Sequence, residues 1–295
     1  METLKALTEY YSNYDEDSRL RSKHGMVEFL TTMRYVQRYL KPGMRVLEIG
    51  AGTGRYSHEL ARMGYAVDAV ELVQHNIDVF RQNTREGENV TIRQGNAKEL
   101  SMFADDTYDI TLLLGPMYHL YTVEEQKQAL REAIRVTRKG GVIFTAYCGN
   151  DATMVQYCFG RGMLKLEKYQ KLVDMETFKA SSDPAELFEL YRREDIDALM
   201  ADFAVTRLHY VGTDMATNYM RGAIDEMDDD FFALDLRYHF TICERADMVG
   251  TSHHILDVFR KEWGKTRKNC NFLFTDATAM CYDNIMNYGI QRLQR

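Results

Sequence analysis

The sequence predicts an α/β fold with a doubly wound, mostly parallel sheet. Between about residues 41 and 147, short apolar runs of strand length alternate with amphipathic segments of helical periodicity. Glycines stand where one type of segment gives way to the other. Strand and helix alternation at this spacing is typical of parallel strands joined by right-handed crossovers. The 295 residues, 45% of them apolar, suffice for one such domain with an insertion.

The alternating region contains five predicted strands and three connecting helices. The strands are 45–49, 66–71, 90–94, 108–114 and 142–147, and the helices are 55–63, 75–83 and 123–137. The fourth strand is continuously apolar at its end, as expected for a strand covered on both faces. Thr122 followed by Glu125 forms a capping box before the third helix.

The segments outside this region are predicted to complete the same domain, which spans residues 1–262. Residues 1–40 are predicted to be helical, and residues 151–202 to form a largely helical insertion, a candidate cap over the site. Asp183-Pro184 resembles a helix start within that insertion. Two further strands are expected at 204–211 and 254–260, separated by a helix near 230–246. Residues 263–295 form a C-terminal extension for which the sequence predicts no definite structure.

Composition and charge exclude several classes of protein. The net charge is −7, and the acidic run at 225–230 adds local negative potential, which disfavours binding to nucleic acid. The five cysteines are scattered, and no Cys/His spacing indicates a metal site. No apolar run approaches the roughly 18 residues that span a bilayer, and the N-terminus does not resemble a secretion signal. We therefore expect a reduced, cytoplasmic protein of undetermined oligomeric state.

The most informative segment is a glycine-rich run, 46–54, that follows the first strand. Gly50, Gly52 and Gly54 alternate with other residues, so the backbone can turn tightly and a ligand can approach the main chain. The following helix directs its free N–H groups toward that ligand. This pattern alone is compatible with any nucleotide-binding protein, including a dehydrogenase.

Three details favour a ligand other than a dinucleotide. Arg55 occupies the position at which the dinucleotide motif GxGxxG has its third glycine. Glu48 lies within the first strand, where a carboxylate suits a ligand with an ammonium and a sulfonium better than a pyrophosphate. Glu71 ends the second strand about twenty residues after Gly50, where its carboxylate can accept both ribose hydroxyls.

These residues resemble the class I S-adenosylmethionine-dependent methyltransferases. The similarity covers 46–54, Glu71, Gln94–Ala97, Tyr108-Asp109 with 112–118, and 138–141. The resemblance implies a seven-stranded sheet of order 3-2-1-4-5-7-6 with strand seven antiparallel. It also implies S-adenosylmethionine as cofactor, with the glycine loop against its methionine part and Asn96, commonly Asp in the family, beside the adenine. The predicted cofactor-binding residues are Tyr14, Glu48, Gly50, Ala51, Gly52, Gly54, Glu71, Leu72, Asn96, Ala97 and Leu114.

The methyl acceptor is expected at the turn after the fourth strand. Tyr118 there could stack on or hydrogen-bond a substrate, and His119 could accept a proton. The alternative is that His119 only caps or supports the loop. The tyrosines at 10, 11 and 14 are expected either to cover the cofactor as a lid or to pack on the helix at 26–40. His253 and His254 point to opposite faces of a strand, so we do not expect them to share a metal, and we interpret them as structural residues.

Three functions remain open at this stage. The first is methyl transfer to a small molecule, favoured by the acidic surface and by an insertion large enough to enclose a pocket. The second is methylation of RNA or protein, for which the sequence shows no basic groove, although Lys265, Arg267 and Lys268 begin the C-terminal extension. The third is a nicotinamide oxidoreductase or a non-catalytic nucleotide-binding protein on the same sheet, which the fold alone does not distinguish.

Overall fold

A computed structural model of the chain describes residues 2–263, so the predicted extension after Trp263 lies outside the described residues. The described part contains the predicted strands and one additional short strand. The strands are β1 (Arg45–Ile49), β2 (Ala66–Glu71), β3 (Val90–Gln94), β4 (Tyr108–Leu113), β5 (Thr137–Gly149), β6 (Leu190–Tyr191), β7 (Val205–Gly212) and β8 (His254–Lys261).

Helices precede, connect and follow these strands. The helices are α1 (Glu2–Asn13), α2 (Glu16–Arg19), α3 (Lys23–Gln37), α4 (Arg55–Arg62), α5 (Gln74–Asn83), α6 (Val123–Val136), α7 (Asn150–Thr153), α8 (Glu167–Gln170), α9 (Arg193–Met200), α10 (Arg221–Asp225) and α11 (Asp229–Ile242). A short 3₁₀ turn, Pro116–His119, follows β4. The predicted cap of α6 is confirmed, because the hydroxyl of Thr122 accepts a hydrogen bond from the N–H of Glu125 at 3.3 Å.

The sheet has the order β3-β2-β1-β4-β5-β8-β7. Strands β1 to β5 are parallel, and β8 runs antiparallel to both β5 and β7. Because β7 and β8 are the sixth and seventh strands predicted from the sequence, the expected order 3-2-1-4-5-7-6 is confirmed. The short strand β6 was not predicted, and it pairs with the end of β5 through Cys148 and Gly149.

Two apolar layers enclose the sheet and explain its helices. On one face, α6 and α9 bury Leu130 and Ile196 against strand residues such as Leu47. On the other face, α3 and α4 bury Phe29 and Leu60. Side chains of successive strand residues alternate between these layers, so both faces of the central strands are buried. The carboxyl ends of the parallel strands are thereby left as the open edge at which such sheets bind ligands.

The insertion contains less helix than the sequence predicts. Between residues 151 and 202 the regular helices are the end of α7, α8 and α9, together with short π and 3₁₀ turns at 154–159 and 163–165. The stretch 171–189 has no helix, and its one isolated bridge pairs Val173 with Ala180. Apolar residues at helical spacing therefore misled the prediction, because they pack in short turns around Met154 and Cys158.

The helix predicted to start at Asp183-Pro184 is also wrong. The carboxylate of Asp183 does accept hydrogen bonds from the N–H groups of Ala185 and Glu186, as an N-cap would. The chain then leaves the helical conformation, since Leu187 has φ 71° and the N–H of Glu189 bonds to the carbonyl of Tyr118. A single turn results, because the tertiary hydrogen bond replaces the helical one.

Between residues 2 and 263, every helix is too short or too polar to cross a bilayer.

Candidate functional site

The glycine-rich loop between β1 and α4 has the conformation that its sequence predicts. Gly50, Gly52 and Gly54 all have positive φ, at 77°, 53° and 91°. A Cβ at Gly50 would lie 2.6 Å from the ring of Pro116, whereas a Cβ at Gly52 would meet nothing closer than 3.7 Å. Gly50 is thus required by a close approach of two loops, whereas a Cβ at Gly52 would be in ordinary contact with the Cγ of Glu16.

Backbone hydrogen bonds fix this loop to the end of β2. The N–H groups of Gly50 and Ala51 both donate to the carbonyl of Val70, at 2.8 and 3.1 Å. Gly54 is the N-cap of α4 and makes no side-chain cap, so the first N–H groups of that helix lack the usual side-chain acceptor. A polar or negatively charged ligand group is stabilised at such a helix start.

Glu71 joins the end of β2 to the glycine loop. One carboxylate oxygen accepts the N–H of Gly52 at 2.9 Å, and the other accepts the N–H of Val73 at 2.8 Å and the amide of Asn76 at 3.4 Å. Burial raises the pKa of this carboxyl, and these hydrogen bonds oppose that shift. The side chain is therefore fixed beside the place where the sequence predicts a ribose.

Glu48 is buried in β1 and interacts with the start of α4. It is 1% exposed and accepts a hydrogen bond from the hydroxyl of Ser57. Burial raises the pKa of Glu48 to about 8, with the bond from Ser57 acting in the opposite direction. A cationic group brought near this carboxyl would favour its ionised form, which fits a ligand that carries an ammonium.

The other residues predicted to bind the cofactor, with Asn96 beside the adenine, follow β2, β3 and β4. Leu72 is half-buried, and its carbonyl accepts the side-chain amide of Gln94 at 3.1 Å. Asn96 accepts the N–H of Lys98 through Oδ1 at 3.0 Å, and Ala97 is buried beside it. Leu114 lies half-buried directly after β4. Since these strands are parallel, their ends meet at the same edge as the glycine loop.

The N-terminal segment passes over the glycine loop. The Cγ of Glu16 lies 3.7 Å from the Cβ position of Gly52, and Asn83 donates to the carboxylate of Asp17 at 2.8 Å. Tyr14 is 38% exposed and stacks on Tyr10, with ring centroids 5.2 Å apart. The segment thus lies where a lid over the cofactor would lie.

Tyr118 and His119 have different surroundings in the turn after β4. The hydroxyl of Tyr118 lies 3.7 Å from the Cβ position of Gly115, next to the glycine loop, and burial raises its pKa well above the usual value. His119 uses both ring nitrogens: Nε2 contacts the hydroxyl of Tyr11 at 2.9 Å, and Nδ1 contacts the carbonyl of Leu187 at 2.8 Å. Burial lowers the pKa of His119 to about 4. This geometry favours the supporting role for His119 and leaves Tyr118 facing the cleft.

A chain of charged side chains at the same edge was not expected from the sequence. Arg19 contacts Glu16 and Glu28, each at 2.8 Å, and Glu28 lies 3.4 Å from Nδ1 of His254. That same nitrogen lies 2.8 Å from the carboxylate of Asp214. Glu16, Arg19 and Glu28 are near one another in the sequence, whereas Asp214 and His254 lie about 200 residues further along the chain. The adjacent histidines are the sign of these charged side chains in the sequence, where they are interpreted as structural residues that do not share a metal.

Comparisons with known proteins identify a methyltransferase domain in this chain. Residues 46–141 match the family described as "Methyltransferase domain". Ubiquinone biosynthesis O-methyltransferase of Methylocella silvestris is 33% identical over 128 residues, which cover 43% of this chain and 48% of that protein. This chain thus matches about half the length of that relative.

Solved structures share the fold over most of the chain. The PH0226 protein of Pyrococcus horikoshii has a TM-score of 0.57 at 17% identity, covering 86% of this chain and 99% of that one. A SAM-dependent methyltransferase of Methanosarcina mazei has a TM-score of 0.52 at 16% identity, covering 77% and 97%. Residues 46–141 thus form a methyltransferase domain, and the strand order of the sheet is the one expected for the class I S-adenosylmethionine-dependent methyltransferases.

Proposed function

We propose that the protein transfers the methyl group of S-adenosylmethionine to a small-molecule acceptor. The observation that carries the proposal is the contact between Gly52 and Glu71, because it places the glycine-rich main chain and a buried carboxylate side by side. The methionine part would lie along residues 50–54, with its ammonium toward Glu48. Glu71 would hold the ribose hydroxyls, and Leu72, Asn96 and Ala97 would border the adenine.

The cofactor supplies an electrophilic methyl group on a positively charged sulfur. The protein therefore has to orient the acceptor in line with that methyl and to exclude water. Tyr118 supports such a role, since its hydroxyl lies beside the glycine loop and its ring packs 5.9 Å from that of Phe188. His119 would keep the turn in place through its bonds to Tyr11 and Leu187.

Two further observations support an acceptor of small size. The N-terminal segment and the loop around Phe188 meet over the cleft, since Tyr10 packs 5.9 Å from Phe188, and this narrows the entrance. The net charge of −7 disfavours an RNA acceptor. The matched relative from Methylocella silvestris is named an O-methyltransferase of ubiquinone biosynthesis, so we propose a hydroxyl-bearing acceptor for this chain as well.

The cofactor assignment is tested by thermal unfolding with added ligand. S-adenosylmethionine and S-adenosylhomocysteine should raise Tm, while NAD should leave it unchanged. Stabilisation by NAD in place of the adenosyl ligands would refute the proposal.

A matched pair of glycine variants locates the site. Gly52→Val should abolish the ligand-induced shift. Gly87→Val should preserve it, although Gly87 also has a positive φ of 84° and nothing within 4 Å of its Cβ position. Both variants bear a similar backbone strain, so only the site distinguishes them. Transfer itself is tested by release of S-adenosylhomocysteine with a panel of hydroxylated metabolites; binding of cofactor without release by any of them would argue for a non-catalytic protein.

A further inference from the structure

His254 lies at the ligand edge of the sheet, although it belongs to an antiparallel strand. It is the first residue of β8 and pairs with Cys148 at the end of β5. Because β8 runs opposite to β5, its first residue reaches the edge formed by the carboxyl ends of the parallel strands. Asp214 reaches the same edge from the end of β7. His254 is therefore placed at the cleft together with Tyr118 and the glycine loop.

Asp214 holds the ring of His254 in one orientation. Its Oδ2 lies 2.8 Å from Nδ1 of His254 and also accepts the amide of Asn218 at 2.8 Å. Its Oδ1 accepts the hydroxyl of Ser252 and the N–H groups of His253 and His254, at 2.6, 2.9 and 3.1 Å. A carboxylate with so many donors cannot rotate without breaking several hydrogen bonds. Nδ1 of His254 is thus kept as a donor, and Nε2 is the nitrogen turned away from Asp214.

The exposure of the two side chains fits this arrangement. The side chain of Asp214 is 5% exposed, whereas that of His254 is 27% exposed. The ring therefore has its oriented nitrogen inside the protein and part of its surface exposed, and the thiol of Cys148 is a further hydrogen-bonding neighbour of the ring. His119, the histidine that the sequence suggested as proton acceptor, has both nitrogens occupied.

We propose that His254, oriented by Asp214, removes a proton from the hydroxyl of the methyl acceptor. This inference rests on the proposed function and names the group that would handle the proton. The acceptor O–H proton passes to Nε2 of His254, the oxygen forms the bond to the methyl carbon, and the electron pair of the broken carbon–sulfur bond goes to sulfur. Asp214 stabilises the imidazolium that forms.

The charges that face His254 explain why the cofactor should activate it. They come from Glu28 on α3, Asp214 after β7, and more distantly Arg19 and Glu16 on α2, with the Cys148 thiol across the strand pair. Burial alone would lower the pKa of His254, but Glu28 and Asp214 outweigh it and hold the pKa well above its usual value. A sulfonium at this edge adds a positive charge, which lowers that pKa and frees Nε2 to accept a proton.

The same side chains could be interpreted as a metal site. Glu28, Asp214 and His254 offer ligand atoms within 4.8 Å of one another. The guanidinium of Arg19, however, lies 2.8 Å from the oxygen of Glu28 that faces His254, and Asp214 is already saturated with donors. A proton on Nδ1, and not a cation, satisfies this arrangement best.

The proposal is tested by following the titration of His254 with histidine-selective NMR. The pKa of His254 should be high in the free protein and with neutral S-adenosylhomocysteine, and lower with S-adenosylmethionine. An equal pKa in the two complexes would overturn the proposal. So would a shift of the His254 signal on addition of Mg²⁺ or Zn²⁺, which would identify a metal site. Failure of both adenosyl ligands to bind would instead refute the proposed function.

A matched pair of variants completes the experiment. His254→Gln supplies the assignment and should leave the affinity for S-adenosylhomocysteine nearly unchanged, although it should lower Tm because Glu28 and Asp214 lose a charged partner. His24→Gln serves as control, because His24 makes a similar pair with Asp225, at 2.7 Å, on the surface.

The probe is 4-nitrophenol, whose anion absorbs visible light. With S-adenosylmethionine present, wild type and His24→Gln should bind it ionised below its solution pKa, and His254→Gln should lose the band. Absence of the band in wild type, or its persistence in His254→Gln, would contradict the proposal.

Discussion

The carboxylate of Glu71 accepts a hydrogen bond from the N–H of Gly52 at 2.9 Å. This contact joins the end of the second strand to the loop that follows the first strand. Because the other carboxylate oxygen bonds to Val73, Glu71 also fixes the start of α5. One buried acid thus shapes the loop and presents the ribose-binding group that we propose.

Glu71→Gln should weaken cofactor binding by about tenfold to a hundredfold. The amide keeps the size of the side chain but loses the charge that strengthens each hydrogen bond, an effect of roughly 1.5–3 kcal/mol. Isothermal titration with S-adenosylhomocysteine measures the change. Glu124→Gln is the control, since Glu124 is 77% exposed on α6 and should bind normally. Equal affinity in both variants would show that Glu71 does not bind the ribose.

Glu48→Gln should stabilise the free protein at neutral pH while weakening cofactor binding. The folded pKa of about 8 exceeds the ordinary value of 4.5, so Glu48 lowers the free energy of unfolding progressively as pH rises between these values. Removing the ionisable group should raise stability by on the order of 2 kcal/mol at pH 7.5 and by little at pH 4.5. Urea unfolding at the two pH values checks this, and an equal effect at both would contradict the assigned pKa.

Gly50→Ala should destabilise the protein more than Gly64→Ala. Both glycines have positive φ, 77° and 91°, so each alanine incurs a backbone penalty of about 1 kcal/mol. Only at Gly50 would the new Cβ lie 2.6 Å from the ring of Pro116, whereas Gly64 has nothing within 4 Å. We expect an additional loss of about 1–3 kcal/mol at Gly50. Chemical denaturation of both variants measures the difference. Equal losses of stability would show that the loops at Gly50 and Pro116 can move apart at little cost in free energy.

His239→Gln should make the protein less sensitive to acid. Burial lowers the pKa of His239 to about 4, and Nε2 lies 2.9 Å from the hydroxyl of Thr31. The unfolded chain binds its proton near pH 6.5, so stability is lost as pH falls from 6.5 toward 4, by about 2 kcal/mol for this residue. The free energy of unfolding at pH 7 and pH 4.5 gives the slope. If His239→Gln keeps the wild-type slope, burial does not control this titration.

The parts of the fold that local patterns determine could be predicted from the sequence. The bounds of β1, β2 and β3 are those predicted, and α4 and α5 differ by one residue at one end, because strand runs and helical faces are visible in short windows. The two-residue strand β6 has no such pattern, since its pairing depends on where the insertion returns to β5. The helix predicted at Asp183 does not form for the same reason, because the N–H of Glu189 bonds to the distant carbonyl of Tyr118 and not to a carbonyl one helical turn earlier.

The candidate site likewise contains residues that local patterns reveal and residues that only the fold brings together. The glycine loop and Glu71 lie within 22 residues of one another, and their spacing identifies them. Glu28, Asp214 and His254 come from three separate elements that only the folded sheet brings together. The role of His119 also depended on a distant partner, the carbonyl of Leu187, which no local pattern reveals.

The short strand β6 limits how this protein can be re-engineered. It pairs with Cys148 and Gly149 where β5 extends beyond β4, and Tyr191 anchors the turn after β4 through the carbonyl of Met117 at 2.7 Å. Excising the whole insertion would expose backbone groups at the rim of the cleft. A variant in which the insertion is exchanged to alter the choice of acceptor should therefore replace only residues before Leu190. It should retain Leu190 and Tyr191, which pair with β5.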